Sequence, residues 1–252
     1  MSVGAAYEAL TRAQKPPRGV SLYSRFVNRR LGRVFAALGA RLGMSPNGVT
    51  AVSGLLTVAA VALVALAPPS LWLGVTVALL LVLGFAFDAA DGQLARLLGG
   101  GSAAGEWLDH VLDAGKSVAL HAAVLISAYW HFDVSTAWLL VPIGFQVVAV
   151  VVFAAGTLRE LLGRVARPAA PPVPSRPRWG TGILLLPVDA GVLALAFVTL
   201  AWPQVFVVVY SLLFVANLLV GAALMVKWMR ELNALASAAR PDALENRNDV
   251  RR

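Results

Sequence analysis

The chain has no cysteine, which excludes disulfides and thiolate metal sites alike. Charge is also scarce. Only 13% of the 252 residues are Asp, Glu, Lys or Arg, against roughly 25% in an ordinary soluble domain. Acidic residues number just 13. No internal repeat is visible. Nor is a cleavable leader, because the first apolar run follows a long polar, basic segment where a short n-region would be expected. What is abundant is apolar: 59% of the residues are hydrophobic, a balance that suits a multi-pass membrane protein. A net charge of +8 in a soluble protein would point to nucleic acid. In a membrane protein, Lys and Arg instead gather on the cytosolic side, and no nucleic-acid partner is expected.

Six apolar runs can be read, at about 49–67, 71–87, 114–130, 135–157, 182–201 and 203–226. A spanning helix needs about 20 residues. The second and third runs are short, and their helices are expected to continue past the apolar part, over 71–99 and 103–130. Turn-like breaks separate the runs at Ala67-Pro68-Pro69-Ser70, His131-Phe132-Asp133 and Trp202-Pro203. The loops near 68, 132 and 202 contain no Lys or Arg, and all 21 basic residues agree with one topology. Both termini and the even-numbered loops are therefore expected on the cytosolic side, with the protein in the cell (inner) membrane. Trp72, Trp130, Trp179, Trp202 and Trp228 lie near run ends and read as interface anchors.

Ahead of the first span, Val20, Tyr23, Val27, Leu31, Val34, Leu38 and Leu42 recur every three or four residues and form one apolar stripe. Arg25, Arg29, Arg30 and Arg33 fall on the other side. Such a basic amphipathic helix is expected to lie in the membrane interface; the plainer reading is a helix packed on the protein. The expected fold is thus all-α and integral to the membrane, with six transmembrane helices preceded by an amphipathic interfacial helix. Residues 1–43 form the N-terminal segment, 44–232 the membrane domain and 233–252 a polar tail expected to fray. Pro168–Pro177 reads as an irregular cytosolic loop.

Five of the 13 acidic residues fall between Asp88 and Asp113. Asp88 and Asp91 are three apart at the inner end of the second helix, and Asp109 and Asp113 are four apart at the inner end of the third. On helices these spacings put each pair on one face. The short Gly99-Gly100-Gly101-Ser102 connection makes the two helices antiparallel neighbours, so four carboxylates can converge at one depth. Four unpaired carboxylates in one small site would force some to take up protons. A divalent cation removes that conflict, and hard oxygen ligands suit Mg²⁺ or Mn²⁺. Acids at a membrane depth are costly enough that function is their default reading. Gly92, Ala95 and Gly105 keep the facing helices open to a ligand, and the Arg96 guanidinium is suited to phosphate.

The stretch Asp88-Ala-Ala-Asp91-Gly92-Gln-Leu-Ala95-Arg96, followed after eight residues by Gly105, then Asp109, then Asp113, resembles the complete signature of the CDP-alcohol phosphotransferase family. Ser45-Pro46-Asn47-Gly48-Val49-Thr50 resembles a second segment common in it. The resemblance implies transfer of a phospho-alcohol group from a CDP-alcohol, often CDP-diacylglycerol, to an acceptor hydroxyl, with release of CMP. It implies two ions of Mg²⁺ or Mn²⁺ on Asp88, Asp91, Asp109 and Asp113, with Asp113 also the general base. It further implies contacts to the CDP part from Asn47, Thr50 and the Gly92–Arg96 segment, contact of Ser102 with the phosphates, and a homodimer among membrane lipids.

Other polar residues are open. Lys116 either pairs with an aspartate, binds an acceptor or merely snorkels. Asp189 bonds within the bundle or borders the acceptor cavity. Glu106 sits at the edge of the cluster, and His110 and His121 read as packing or hydrogen-bonding residues. Arg159, Arg164, Arg167, Arg176 and Arg178 crowd one cytosolic loop. With Lys116, the group Arg159, Arg176 and Arg178 is expected to bind an anionic acceptor such as inositol phosphate or glycerol phosphate; the plainer reading is the positive-inside rule. A transporter would stack its carboxylates through the depth of the membrane. Here they gather at one end. A catalytically silent membrane protein would be expected to have an eroded set.

Overall fold

The computed structural model describes residues 2–13, 19–166 and 179–249, with 236–249 as backbone only. The Pro168–Pro177 segment, with Arg167, Arg176 and Arg178, lies outside the described residues.

Every described element is helical. Helix α1 (Val3–Arg12) is followed by a π-helical turn at Ser24–Asn28 that leads directly into α2 (Arg29–Arg41). Five long apolar stretches can cross a membrane by length and composition: Pro46–Leu66 (α3), Leu71–Leu97 (α4), Ala103–His131 (α5), Thr136–Ala166, most of which is α6 (Leu140–Ala166), and Pro203–Leu235. Their starts are written locally. Ser45, Ser70 and Ser102 each take an extended backbone and accept the N–H three residues on, with Pro46 at the first helical position of α3. Between α4 and α5, Gly99 and Gly100 adopt φ of 101° and 125°, which side-chain-bearing residues rarely reach. That turn sets the two aspartate-bearing helix ends side by side.

The fifth apolar run is not one long helix. It is broken into α7 (Trp179–Leu184), a 3₁₀ turn at Leu186–Val188, α8 (Ala190–Ala196) and a second 3₁₀ turn at Phe197–Ala201. Pro187 lacks a backbone N–H and disfavours helix in the residue before it. Asp189 then caps α8 by accepting the Gly191 N–H at 2.8 Å. The Pro187 carbonyl at the break accepts the Asn217 amide at 3.0 Å. Helix α9 (Pro203–Asp249) also differs from expectation. It continues well past Asn233, through a stretch rich in Ala, a strong helix former.

A buried core of Phe145, Phe197, Phe206 and Tyr210 joins α6, α9 and the 197–201 turn, and continues through Leu81, Val77 and Val124 of α4 and α5. Large apolar residues remain on the outside, such as Leu55, Leu66 and Trp72. A helix apolar on both faces needs an apolar surrounding medium, so this is a multi-pass membrane protein. Trp72, Trp130, Trp179 and Trp202 are exposed near helix ends, whereas Trp228 packs over Gly156.

Helix α2 packs on the protein by one face. Its small face, Gly32, Ala36, Ala37 and Gly39, is buried, and a Cβ on Gly32 would sit 2.9 Å from the Cβ of Ala89 on α4. Val27, Val34, Leu38 and Leu42 of the apolar stripe remain exposed. Helix α1, which the sequence pattern did not reveal, packs Ala6 and Leu10 into the same cluster.

Candidate active site

Asp88 and Asp91 project from α4, and Asp109 from α5, so that one carboxylate oxygen from each lies within 4.8 Å of the others. Asp91 is 6% exposed, and its charge is held by the Thr50 hydroxyl, which donates to Oδ2 at 2.6 Å, and by the Gly92 N–H, which donates to Oδ1. Asp109 Oδ1 is buried with no hydrogen-bond partner among the described residues. An unpartnered buried carboxylate oxygen facing two further carboxylates is unfavourable without a cation. The donor set is all oxygen. Residues and site therefore fit a hard divalent ion.

Asp113 stands one turn further along α5. It does not join the three-oxygen cluster but is tied to it by Lys116, which donates to Asp113 Oδ1 at 3.0 Å, to Ser53 Oγ at 3.0 Å and to Asp88 Oδ1. The Lys116 side chain is 8% exposed, which rules out snorkelling. Ser53 was not anticipated. The signal was present, because Thr50, Ser53 and Thr57 recur at helical spacing and are the buried polar residues of otherwise apolar α3.

The other signature residues assemble around this cluster. Gly105 brings α5 against α3, since a Cβ there would lie 3.0 Å from Asn47 Oδ1. Ser102 spends its oxygen on the Gly105 N–H at 3.0 Å. A Cβ on Gly92 would meet only the Arg96 guanidinium, at 3.6 Å. Arg96 Nε is buried without a partner among the described residues, which leaves a donor for an anion beside the carboxylates. Ala95 sits on the same turn, half-buried.

Other candidates fall elsewhere. Glu106 accepts from Arg164 at 2.5 Å and is not one of the three clustered carboxylates. His110 stands edge-on to Phe153. His121 is buried and its Nδ1 pairs with the Tyr210 hydroxyl at 2.6 Å. Arg159 is engaged by Glu231 through two contacts, of 3.0 and 2.5 Å.

Beside the aspartates opens a cavity of about 530 Å³, lined at one end by Asp88, Asp113 and Lys116 and elsewhere by Ser21, Ser24 and Asp189. Asp189 bonds within the bundle and also lines this cavity. It accepts hydrogen bonds from Ser21 and, at 2.6 Å, from Ser24, and it lines the cavity. Tyr23 packs against this corner so closely that a Cβ on Gly191 would overlap its ring. Burial, and secondarily the Asp189 charge, push the Tyr23 phenol above its ordinary pKa.

Fold and site together define a multi-pass membrane protein with an all-oxygen carboxylate cluster, able to hold a cation, at the adjoining ends of two neighbouring helices. The pattern of the CDP-alcohol phosphatidyltransferase family matches residues 43–229, and the chain belongs to that family; it is a transferase of phosphate-containing groups. Two solved structures are similar. Both are of the Mycobacterium tuberculosis phosphatidylinositol phosphate synthase. The one with CDP-DAG bound is 23% identical, with a TM-score of 0.51 over 77% of this chain and 91% of that one. The one in complex with manganese and citrate is 25% identical, with a TM-score of 0.52 over 79% and 87%. A search of curated proteins finds no match.

Proposed function

We propose that this protein moves a phosphatidyl group from CDP-diacylglycerol to an acceptor hydroxyl, with release of CMP, and that the reaction depends on Mg²⁺ or Mn²⁺. The observation that carries this is the three-carboxylate cluster, with the unpartnered Asp109 oxygen inside it and the unpartnered Arg96 Nε beside it. Asp88, Asp91 and Asp109 would hold the metal, which supplies charge neutralisation for the diphosphate. Arg96 binds a phosphate oxygen, and Asn47, Thr50, Gly92, Ala95 and Gly105 border the nucleotide. Asp113 takes the proton of the acceptor hydroxyl. The acceptor oxygen forms the new P–O bond as the P–O bond to CMP breaks. Lys116 keeps Asp113 aimed at the site and limits repulsion between it and Asp88.

The same reading places the protein in the cell membrane with both termini cytosolic. The broken Trp179–Ala201 segment would be the sixth, discontinuous crossing, and α2 would lie at the interface with its exposed apolar stripe in lipid. A homodimer is proposed from the family alone. The test is CMP release from CDP-diacylglycerol by purified protein, with and without chelator. Loss of turnover in chelator and its restoration by Mg²⁺ or Mn²⁺ is expected; full turnover with metal verified absent refutes the reading.

A further inference from the structure

The cavity beside the aspartates has a chemistry of its own. Its charged lining, among the described residues, is three carboxylates, Asp88, Asp113 and Asp189, and one ammonium, Lys116. Lys116 is already held by Asp88 and Asp113. At the other polar corner, both serine hydroxyls point their hydrogens at Asp189. The Ser21 oxygen is further engaged by the Ser24 N–H at 3.0 Å. What this corner offers an occupant is a set of oxygen acceptors around a negative charge. The expected cationic counterpart is missing from the described lining: Arg159 is paired with Glu231 and Arg164 with Glu106 and Glu160, and neither lines the cavity.

A phosphate placed at the far corner would face the Asp189 carboxylate, with no unpaired cation among the described lining residues to offset it. An acyl chain would lie against the Asp189 charge, which is costly. A compound with several hydroxyls fits both ends. Its O–H groups donate to Asp189 and to serine oxygens, and its C–H faces meet apolar lining such as Leu120, Phe145 and Leu193. At about 530 Å³ the space falls in the range of small-molecule pockets, roughly 300–1,000 Å³. Asp113 and Asp189 line this same cavity.

We propose that the acceptor alcohol is an uncharged polyhydroxy compound, seated in this cavity and selected over phosphorylated alcohols by Asp189, Ser21 and Ser24. This replaces the expectation of an anionic acceptor, and it rests on the transferase reading above. Asp189 thereby gains a role in specificity besides its cap on α8.

The test measures CMP release from CDP-diacylglycerol by the full-length protein, with myo-inositol, glycerol, inositol 1-phosphate, glycerol 3-phosphate and serine as separate acceptors. The neutral polyols are expected to give at least about tenfold higher kcat/KM than their phosphorylated forms, the size of effect one charge-assisted hydrogen bond supports. Asp189→Asn keeps a capping side chain, so the fold is expected to survive. It should raise KM for the neutral polyol about tenfold, leave KM for CDP-diacylglycerol unchanged, and shift the ratio of neutral to phosphorylated acceptor toward the latter. A purely structural role would lower turnover with every acceptor equally and move no ratio. Ser24→Ala should raise the polyol KM in the same direction. Preference for a phosphorylated alcohol or for serine, or an unchanged acceptor ratio in both variants, overturns the proposal while the transferase reading stands. Absence of CMP release with every acceptor overturns both.

Discussion

Thr50→Val isolates how the protein prepares its metal site. The substitution preserves shape and β-branching and deletes one hydroxyl. In the folded protein that hydroxyl is 2.6 Å from Asp91 Oδ2 and 3.1 Å from the Pro46 carbonyl. Thr50 and Asp91 are both buried, at 4% and 6% exposure, so water does not replace the lost donor. A hydrogen bond to a charged group is worth about 1.5–3 kcal/mol. Only the part that differs between the free and metal-bound site changes affinity, and outer partners of metal-ligating residues typically contribute about 10–100-fold. We therefore expect Kd for Mn²⁺ to rise about 10–100-fold, equivalent to about 1.4–2.8 kcal/mol, while Thr50→Ser restores most of the loss. Mn²⁺ titration of purified protein followed by electron paramagnetic resonance reads this without any turnover. Unchanged Mn²⁺ affinity in Thr50→Val, with Tm preserved, would refute the view that Thr50 orients Asp91.

Asp113→Asn should cut kcat by about 100-fold or more while Mn²⁺ binding falls far less, since Asp88, Asp91 and Asp109 form the cluster without it; near-normal turnover would remove Asp113 as the base. Single cysteines at 68, 133 and 202, all exposed loop positions in a chain with none of its own, should react with an impermeant thiol reagent in intact cells, and labelling at 165 instead would invert the topology. Tyr210→Phe removes the partner of buried His121 and should lower stability by about 1 kcal/mol, read as a lower Tm with metal affinity intact.

The cluster on α4 and α5 was legible because helical geometry is local. Spacings of three and four put Asp88 beside Asp91 and Asp109 one turn from Asp113, and a short glycine turn between two apolar helices keeps their ends close together. Membrane character was equally legible, since length and hydrophobicity of a run are properties of the run. Breaks were less so. Pro187 and Asp189 stand in an apolar stretch long enough to span, and only the packed structure shows the chain giving up helix there, with Asn217 of α9 covering the freed carbonyl.

What the sequence by itself determined was the class of chemistry: oxygen ligands in a cysteine-free, acid-poor membrane chain, at a spacing that converges. What only the tertiary structure decided was which distant side chains meet that chemistry. Ser21 and Ser24 lie 168 and 165 residues from Asp189, and no periodicity relates them. Lys116 meets Ser53 across 63 residues. Such contacts depend on how α2, α3, α5 and α8 pack around α4, and packing is set by side-chain shape summed over many elements. The same reason explains Arg159: its charge was visible in the chain, but its engagement by Glu231 on α9 depends on two helices meeting in space.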